Sequence, residues 1–274
     1  MITNYFRALL ICFGVMASLS CGKKADPAPE VTAPPVTPPQ VSPTPLRILN
    51  DFKMIWNDEF DGTTLDLTKW MYRADGVVRN LATASRQTIS LDGKGNLVMK
   101  VTKDANGKYY VGQVATDGLF QAKYGYFECR AKMNESLGPH VAFWLQSNTM
   151  GIETNDPATN GVEIDIFEYH RKKPDLVFHN LHWNGYGTNH MSTGTNVKLT
   201  SIGMGYHTFG LEWNQNQYIF YVDGKETWRT STAVSQIPQY MILSTELTGW
   251  GGDPETGNFP DQVVFDYVRV YLPK

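Results

Sequence analysis

Residues 162–170 read VEIDIFEYH, and the alternation in this run decides the fold. Successive side chains of a strand point to opposite faces, so Glu163 and Asp165 share one face while Ile164 and Ile166 share the other. Strict alternation would then bury Glu168 and set Phe167 beside the acids, and an unpaired buried carboxylate is unfavourable. One extra residue at Ile166–Phe167, a β-bulge, returns Glu168 to the acidic face and Phe167 to the core.

Short alternating runs of the same texture, punctuated by Gly, Asn and Asp, continue from Leu46 to the C-terminus. NLVMKVTK (96–103), YGYFECRAKM (124–133), HVAFWLQS (140–147), LVFHNLHW (176–183), HTFGLEW (207–213), QYMILSTEL (239–247) and VVFDYVRVYL (263–272) all read as strands. Asp223-Gly224 inside QYIFYVDGKETWR (217–229) is a two-residue hairpin turn. No window beyond about ten residues keeps a 3.6-residue apolar period. The expectation is an all-β chain, two stacked antiparallel sheets in a jelly-roll sandwich. There is no internal repeat and no phosphate-binding glycine loop after a strand, which argues against Rossmann and P-loop chemistry.

Upstream the texture is different. Of 274 residues, Met1–Ser20 carry one cation, Arg7, followed by the uncharged run Ala8–Leu19. A spanning helix needs about 20 apolar residues, so this run reads as a secretory signal. Ser18 and Ser20 ahead of Cys21 resemble a bacterial lipoprotein signal, which implies lipidation of Cys21; simple cleavage and release is the alternative. Eight of the 15 prolines fall between positions 27 and 45. Residues 21–50 are therefore expected to be a Pro-rich tether, a semi-rigid polyproline spacer or a disordered tail, with the folded domain at 51–274. The expected location is extracytoplasmic, on the outer membrane or cell surface through the lipid alone, or else secreted. The chain is expected to act as a monomer. Its 24 Lys plus Arg against 27 Asp plus Glu leave no basic patch for nucleic acid. Three cysteines make no disulfide framework, and Cys129 reads as a buried, inert thiol.

Glu163, Asp165 and Glu168 on one face repel each other, so at least one should hold a proton near neutral pH, the asymmetry that general acid catalysis needs. A solvent-facing acidic stripe balanced by Lys and Arg of neighbouring strands is the plainer alternative. Trp144, Tyr169, His182 and Trp183 lie near the acids in sequence. Aromatic faces beside paired carboxylates suit sugar rings and glycosidic bond cleavage.

At this point the sequence resembles glycoside hydrolase family 16. The bulged signature E-x-D-x-x-E is Glu163, Asp165 and Glu168, and WNDEFDGTTLDLTKW (56–70), GNLVMKV, YGYFECRAKM, AFWLQ, NLHW, GLEW, FYVDG and FDYVRVY follow the family in order. The resemblance implies a jelly roll with a concave cleft and an endo-acting retaining mechanism. Glu163 would be the nucleophile, Asp165 its electrostatic neighbour and Glu168 the acid/base. It also places His182 near the acid/base, with Asn180 sharing its strand parity, and Trp144 beneath a sugar, against a plain core role. Trp250, in a Gly-rich segment, reads as a sugar platform or as an aromatic folded over by its own loop. No cofactor is implied for catalysis. A structural calcium on Glu59, Gly95 and Asp266 is implied, with an arginine salt bridge as the rival for Asp266. A zinc set of Glu168, His170, His179 and His182 has no spacing that enforces it. The implied substrate is a β-1,3 or mixed-linkage β-glucan. A galactan hydrolase of the agarase, porphyranase or carrageenase kind is the second reading, and a non-catalytic lectin the third. The segment before the motif lacks the WP-GG pattern of typical laminarinases, and no Lys/Arg cluster in the sequence marks a sulfate subsite.

Overall fold

The computed structural model describes residues 44–274, so the signal, Cys21 and most of the proline-rich tether lie outside the described residues. Two sheets face each other. In one, seven strands run in the order Met191–Lys198, Leu176–Trp183, Glu163–His170, Gly138–Gln146, Tyr240–Gly251, Gln113–Ala115 and Met71–Tyr72. The other has eleven strands and is centred on Gly125–Lys132 and Asp261–Pro273. Pairing is antiparallel throughout except for a short parallel match of Ala82–Ala84 with Tyr109–Val111.

Alternation builds the core. Val141, Phe143 and Leu145 from one strand, Ile164 and Tyr169 from the next and Leu243 from a third point inward and are fully buried. Phe127, Cys129, Ala131, Phe209, Leu211, Val268 and Val270 meet them from the other sheet. Removing each large apolar side chain from water contributes about 1.5–3 kcal/mol. Cys129 is a buried thiol inside this layer, and burial pushes its pKa up, as expected of an inert cysteine. The Asp223-Gly224 hairpin is present, both residues adopting positive φ (49° and 70°) as a tight primed turn requires.

The domain begins earlier than residue 51. Leu46–Asp51 is a short helix whose Ile48 is fully buried against Phe52, Tyr126, Ile219, Tyr221 and Tyr271 on the outer face of the larger sheet. Ahead of it, the Thr44 hydroxyl donates to Glu128 Oε1 at 2.8 Å. Residues 44–50 are thus part of the folded unit. Proline spacing conceals this, because a single helical turn anchored by one isoleucine has no period to read.

Met191–Lys198 (MSTGTNVK) is an edge strand with little apolar content, and sequence alternation gives no sign of it. Its neighbour Leu176–Trp183 fixes it by main-chain pairing.

Candidate active site

The acids stand on the outer face of the seven-stranded sheet, in a cleft of about 380 Å³. Alternation supplies its floor: His140, Ala142, Trp144 and Gln146 from one strand, Ser244 and Glu246 from the next. The predicted bulge is present. Toward Gly138–Gln146, Phe143 opposes Phe167 while Trp144 opposes Asp165, which leaves Ile166 without a partner. Toward Leu176–Trp183, Asp165 opposes Asn180 and Glu168 opposes Phe178, so Ile166 and Phe167 together face His179. Glu168 thereby returns to the cleft with Glu163 and Asp165.

His179 fills the bulge. Its Nδ1 lies 2.7 Å from the Ile166 carbonyl and its Nε2 lies 3.0 Å from Thr227 Oγ1. Burial pushes this imidazole down to about 4, so it is neutral, and we assign the proton to Nδ1, which donates to the carbonyl.

The three acids have different neighbours. Glu163 Oε2 accepts hydrogen bonds from Gln146 Nε2 at 3.0 Å and from the Tyr186 hydroxyl. Burial raises Glu163 to about 7, the Tyr186 hydroxyl opposing and Glu168 and Glu246 adding to the rise. Asp165 is fully enclosed, and burial, then the charges of Glu168 and Glu163, hold it well above the usual carboxylate range. Its Oδ2 is 3.4 Å from His182 Nε2.

Glu168 runs the other way. Burial alone would raise it, but His140 and the Asn180 amide together outweigh burial and leave it below its ordinary value. His140 Nε2 is 2.8 Å from Glu168 Oε1, an ion-pair distance, although the ring lies off the line of a hydrogen bond. Burial lowers His140 and the Glu168 carboxylate more than offsets this, so the imidazole sits above its ordinary value. Protons are therefore held among the acids as expected, but on Asp165 and Glu163, with His140 holding the one beside Glu168. The cause is a histidine 28 positions upstream that the motif does not contain.

The other expected residues divide. Asn180 reaches Glu168, and His182 stands between Asp165 and His190, whose Nε2 is 3.0 Å from His182 Nδ1. Trp144 lines the cleft, its Nε1 donating to Ser244 Oγ at 3.1 Å. Trp250 ends a strand and packs on His140, His170 and Phe178 with ring centroids 4.5–4.8 Å away, while remaining 38% exposed. Tyr169 and Trp183, grouped with the acids in sequence, belong to the main core instead, because the bulge and the strand parity turn them inward.

The implied calcium set does not assemble, and neither does the zinc set that no spacing enforces. Glu59 is held in a bidentate pair by Arg269 at 2.9 and 2.7 Å, and this arginine keeps its carboxyl below the usual range. Asp266 pairs with Arg130. It is the extra residue of a second bulge, between Phe265 and Tyr267, so it leaves the face of Val268 and Val270 that strict alternation would give it. Gly95 lies near the Glu59 carbonyl, but the two carboxylates are occupied by separate arginines, and the residues present do not fit a calcium cradle on these side chains. For zinc, His179 is committed to the bulge and His170 stacks on Phe178. Among the described residues, Glu163, Asp165 and His182 do bring ligand atoms within 4.8 Å of one another.

Sequence reasoning missed Arg73, Arg79, His140, Gln146, Tyr186 and Glu246, all of which line the cleft. The parity of His140, Ala142, Trp144 and Gln146 was available as a signal. Arg73 follows the two-residue strand Met71–Tyr72 and Arg79 ends the two-residue strand Val78–Arg79, both too short to show a period.

Residues 78–269 match the glycosyl hydrolases family 16. The keratan-sulfate endo-1,4-beta-galactosidase of Sphingobacterium multivorum is 28% identical over 290 aligned residues, covering 98% of this chain and 67% of that protein. A beta-glucanase of Rhodothermus marinus is 28% identical, covering 80% of this chain and 85% of its own. The laminarinase catalytic domain of Thermotoga maritima superposes with a TM-score of 0.70 at 26% identity, over 82% of this chain and 99% of that one. With the bulged acidic strand and the sandwich that carries it, these matches mean that the chain belongs to glycosyl hydrolases family 16.

Proposed function

We propose that this glycoside hydrolase cleaves internal β-linkages of a polysaccharide with retention of configuration. The observation that carries the reading is that Glu163 and Glu168 face one cleft from a single bulged strand, with their proton affinities driven apart by burial at Glu163 and by His140 at Glu168. Ionised Glu163 attacks the anomeric carbon, the glycosidic C–O bond breaks, and the leaving oxygen takes a proton from Glu168. Water then attacks the anomeric carbon, Glu168 takes its proton, and Glu163 is released. Glu168 and His140 hold one proton between them, as imidazolium and carboxylate at rest and as imidazole and carboxylic acid when the leaving group needs it. Asp165, kept protonated, spares the site a further negative charge beside the nucleophile.

A β-1,3 or mixed-linkage glucan is the first substrate reading, supported by the glucanase and laminarinase relatives, and a galactan is the second, supported by the galactosidase. A reducing-end assay on laminarin, lichenan, agarose and keratan sulfate tests both. Turnover of at least one polymer, abolished in Glu163→Ala, is expected. Binding without turnover on all four would instead support a lectin. We also propose that the chain works as a monomer tethered through a lipid on Cys21. Cys21→Ala should then release it from membranes, and persistent association would refute the anchor.

A further inference from the structure

Two guanidinium groups enter the same cleft as the acids, and neither forms a close ion pair among the described residues, although the charge of Arg73 reaches Glu163 and favours its ionised form. Arg79 lines the cleft half-buried, and its Nε is buried with no hydrogen-bond partner. Arg73 is half-buried as well. Its Nη1 donates to Gln113 Oε1 at 2.6 Å, and its guanidinium lies 5.0 Å from the centroid of the Trp144 ring. Most other arginines among the described residues are paired with carboxylates, Arg269 with Glu59, Arg130 with Asp266 and Arg86 with Asp75, Arg171 being an exception. A partly desolvated cation left unpaired is unfavourable, and a buried donor without an acceptor adds to that cost. Both features persist here at the substrate's position, where a ligand can complete them.

We infer that Arg79 and Arg73 form a subsite for an anionic substituent on the glycan, a sulfate ester, within the catalytic cleft. The inference rests on the glycosidase reading above and follows its galactan branch. The guanidinium fork presents several N–H donors in one plane and matches the oxygens of a sulfate. Gln113 occupies one donor of Arg73 and orients the rest. Trp144 beside it offers an apolar face for the sugar ring that carries the ester. A sulfate ester stays ionised beside Glu163 and Asp165, where a carboxylate would be drawn toward protonation, as those two acids themselves are. This cationic pair was invisible in the sequence because Arg73 and Arg79 are isolated residues near position 75, brought to the acids only by the folded sheet.

The test compares kcat/KM on keratan sulfate and porphyran, each before and after chemical desulfation, and on laminarin before and after oxidation of its primary hydroxyls to carboxylates. Wild type, Arg79→Met and Arg73→Met are measured in parallel. Loss of a charge-assisted contact should lower the preference for the sulfated over the desulfated polymer by about 10- to 100-fold in Arg79→Met. Arg73→Met should lower it in the same direction, and the preference in wild type should weaken with salt. Using the ratio of two substrates for one variant cancels any loss of folded protein. A preference for oxidised laminarin that is lost in the same variants would also support the anion subsite and would name a carboxylate as its ligand. Equal turnover with and without the charged group, or a preference untouched by both substitutions, would overturn the subsite and leave the glycosidase reading standing. Failure on every polymer would be a failure of the glycosidase reading, and affinity electrophoresis of Glu163→Gln in the sulfated and desulfated gels would then decide the subsite alone.

Discussion

Glu163 and Glu168 carry identical side chains, and their opposite shifts come from what each touches. Among the described residues Tyr186 is the one hydroxyl bonded to Glu163, and it holds the nucleophile's pKa down against burial. Tyr186→Phe should therefore raise the Glu163 pKa further and move the acidic limb of kcat/KM, expected near pH 7, to higher pH. An unmoved limb would show that the hydroxyl does not set the charge of the nucleophile. Stability follows from the same shift. Glu163 titrates near 7 when folded and near 4.5 ordinarily, so the folded state binds the proton more tightly. Its contribution to stability is fully present below about pH 4.5 and is lost as pH rises through about 7. Glu163→Gln removes that dependence. The difference in Tm between pH 5 and pH 8 should be smaller in the variant than in wild type, and an equal difference would contradict the shift. At this scale the three acids were legible because carboxylates at a spacing of two and three on a strand leave few choices. His140 and Tyr186 were not, because their roles depend on which oxygen they reach across strands.

The bulge is the element that makes the site, and His179 is the group that holds it. A bulged carbonyl falls out of the ladder and needs another donor, and the neutral His179 imidazole supplies one inside the core. His179→Ala should leave the Ile166 carbonyl unsatisfied, costing about 1–3 kcal/mol in urea unfolding. It should also displace Glu168. A shift of about 1 Å can lower kcat about 100-fold, with KM nearly unchanged because the cleft floor is intact. Stability loss with full kcat would mean that the bulge keeps its shape unaided. The bulge at Ile166–Phe167 was readable from burial cost alone. The second one, at Asp266, was not, since an acid among valines fits either a partner on the apolar face or an extra residue. The short strands Gln113–Ala115 and Met71–Tyr72 carry too few residues to show a period, yet their neighbourhood delivers Arg73 to the cleft.

At the scale of the whole domain, residues 44–50 cover part of the outer face of the larger sheet. Glu128 is buried there, raised by burial and held by the hydroxyls of Thr44, Tyr126 and Tyr267 at 2.8, 2.8 and 3.0 Å. Ile48 covers the tyrosines beside it. A chain starting at Asp51 loses both contacts, and Ile48→Ala loses one. The isoleucine alone should be worth about 2–5 kcal/mol in denaturant unfolding, with kcat on the assay polymer preserved at 25 °C because the cleft lies on the other sheet. A truncated chain as stable as the full one would restore the boundary at 51. The sandwich was legible from alternating runs that the two sheets bury face to face. The helical strap was hidden by the prolines in front of it.

The central claim is that Glu163 forms the bond to sugar and Glu168 moves the proton. Its most direct test is the anomeric configuration, by NMR, of the product that Glu168→Ala makes from an aryl β-glycoside with added azide. The aglycone is a good leaving group and needs no acid, so the first step should proceed on Glu163. Azide should then intercept the glycosyl-enzyme and yield the β-glycosyl azide, a net retention. An α-azide from Glu168→Ala, or a β-azide from Glu163→Ala, would contradict the assignment of the two glutamates.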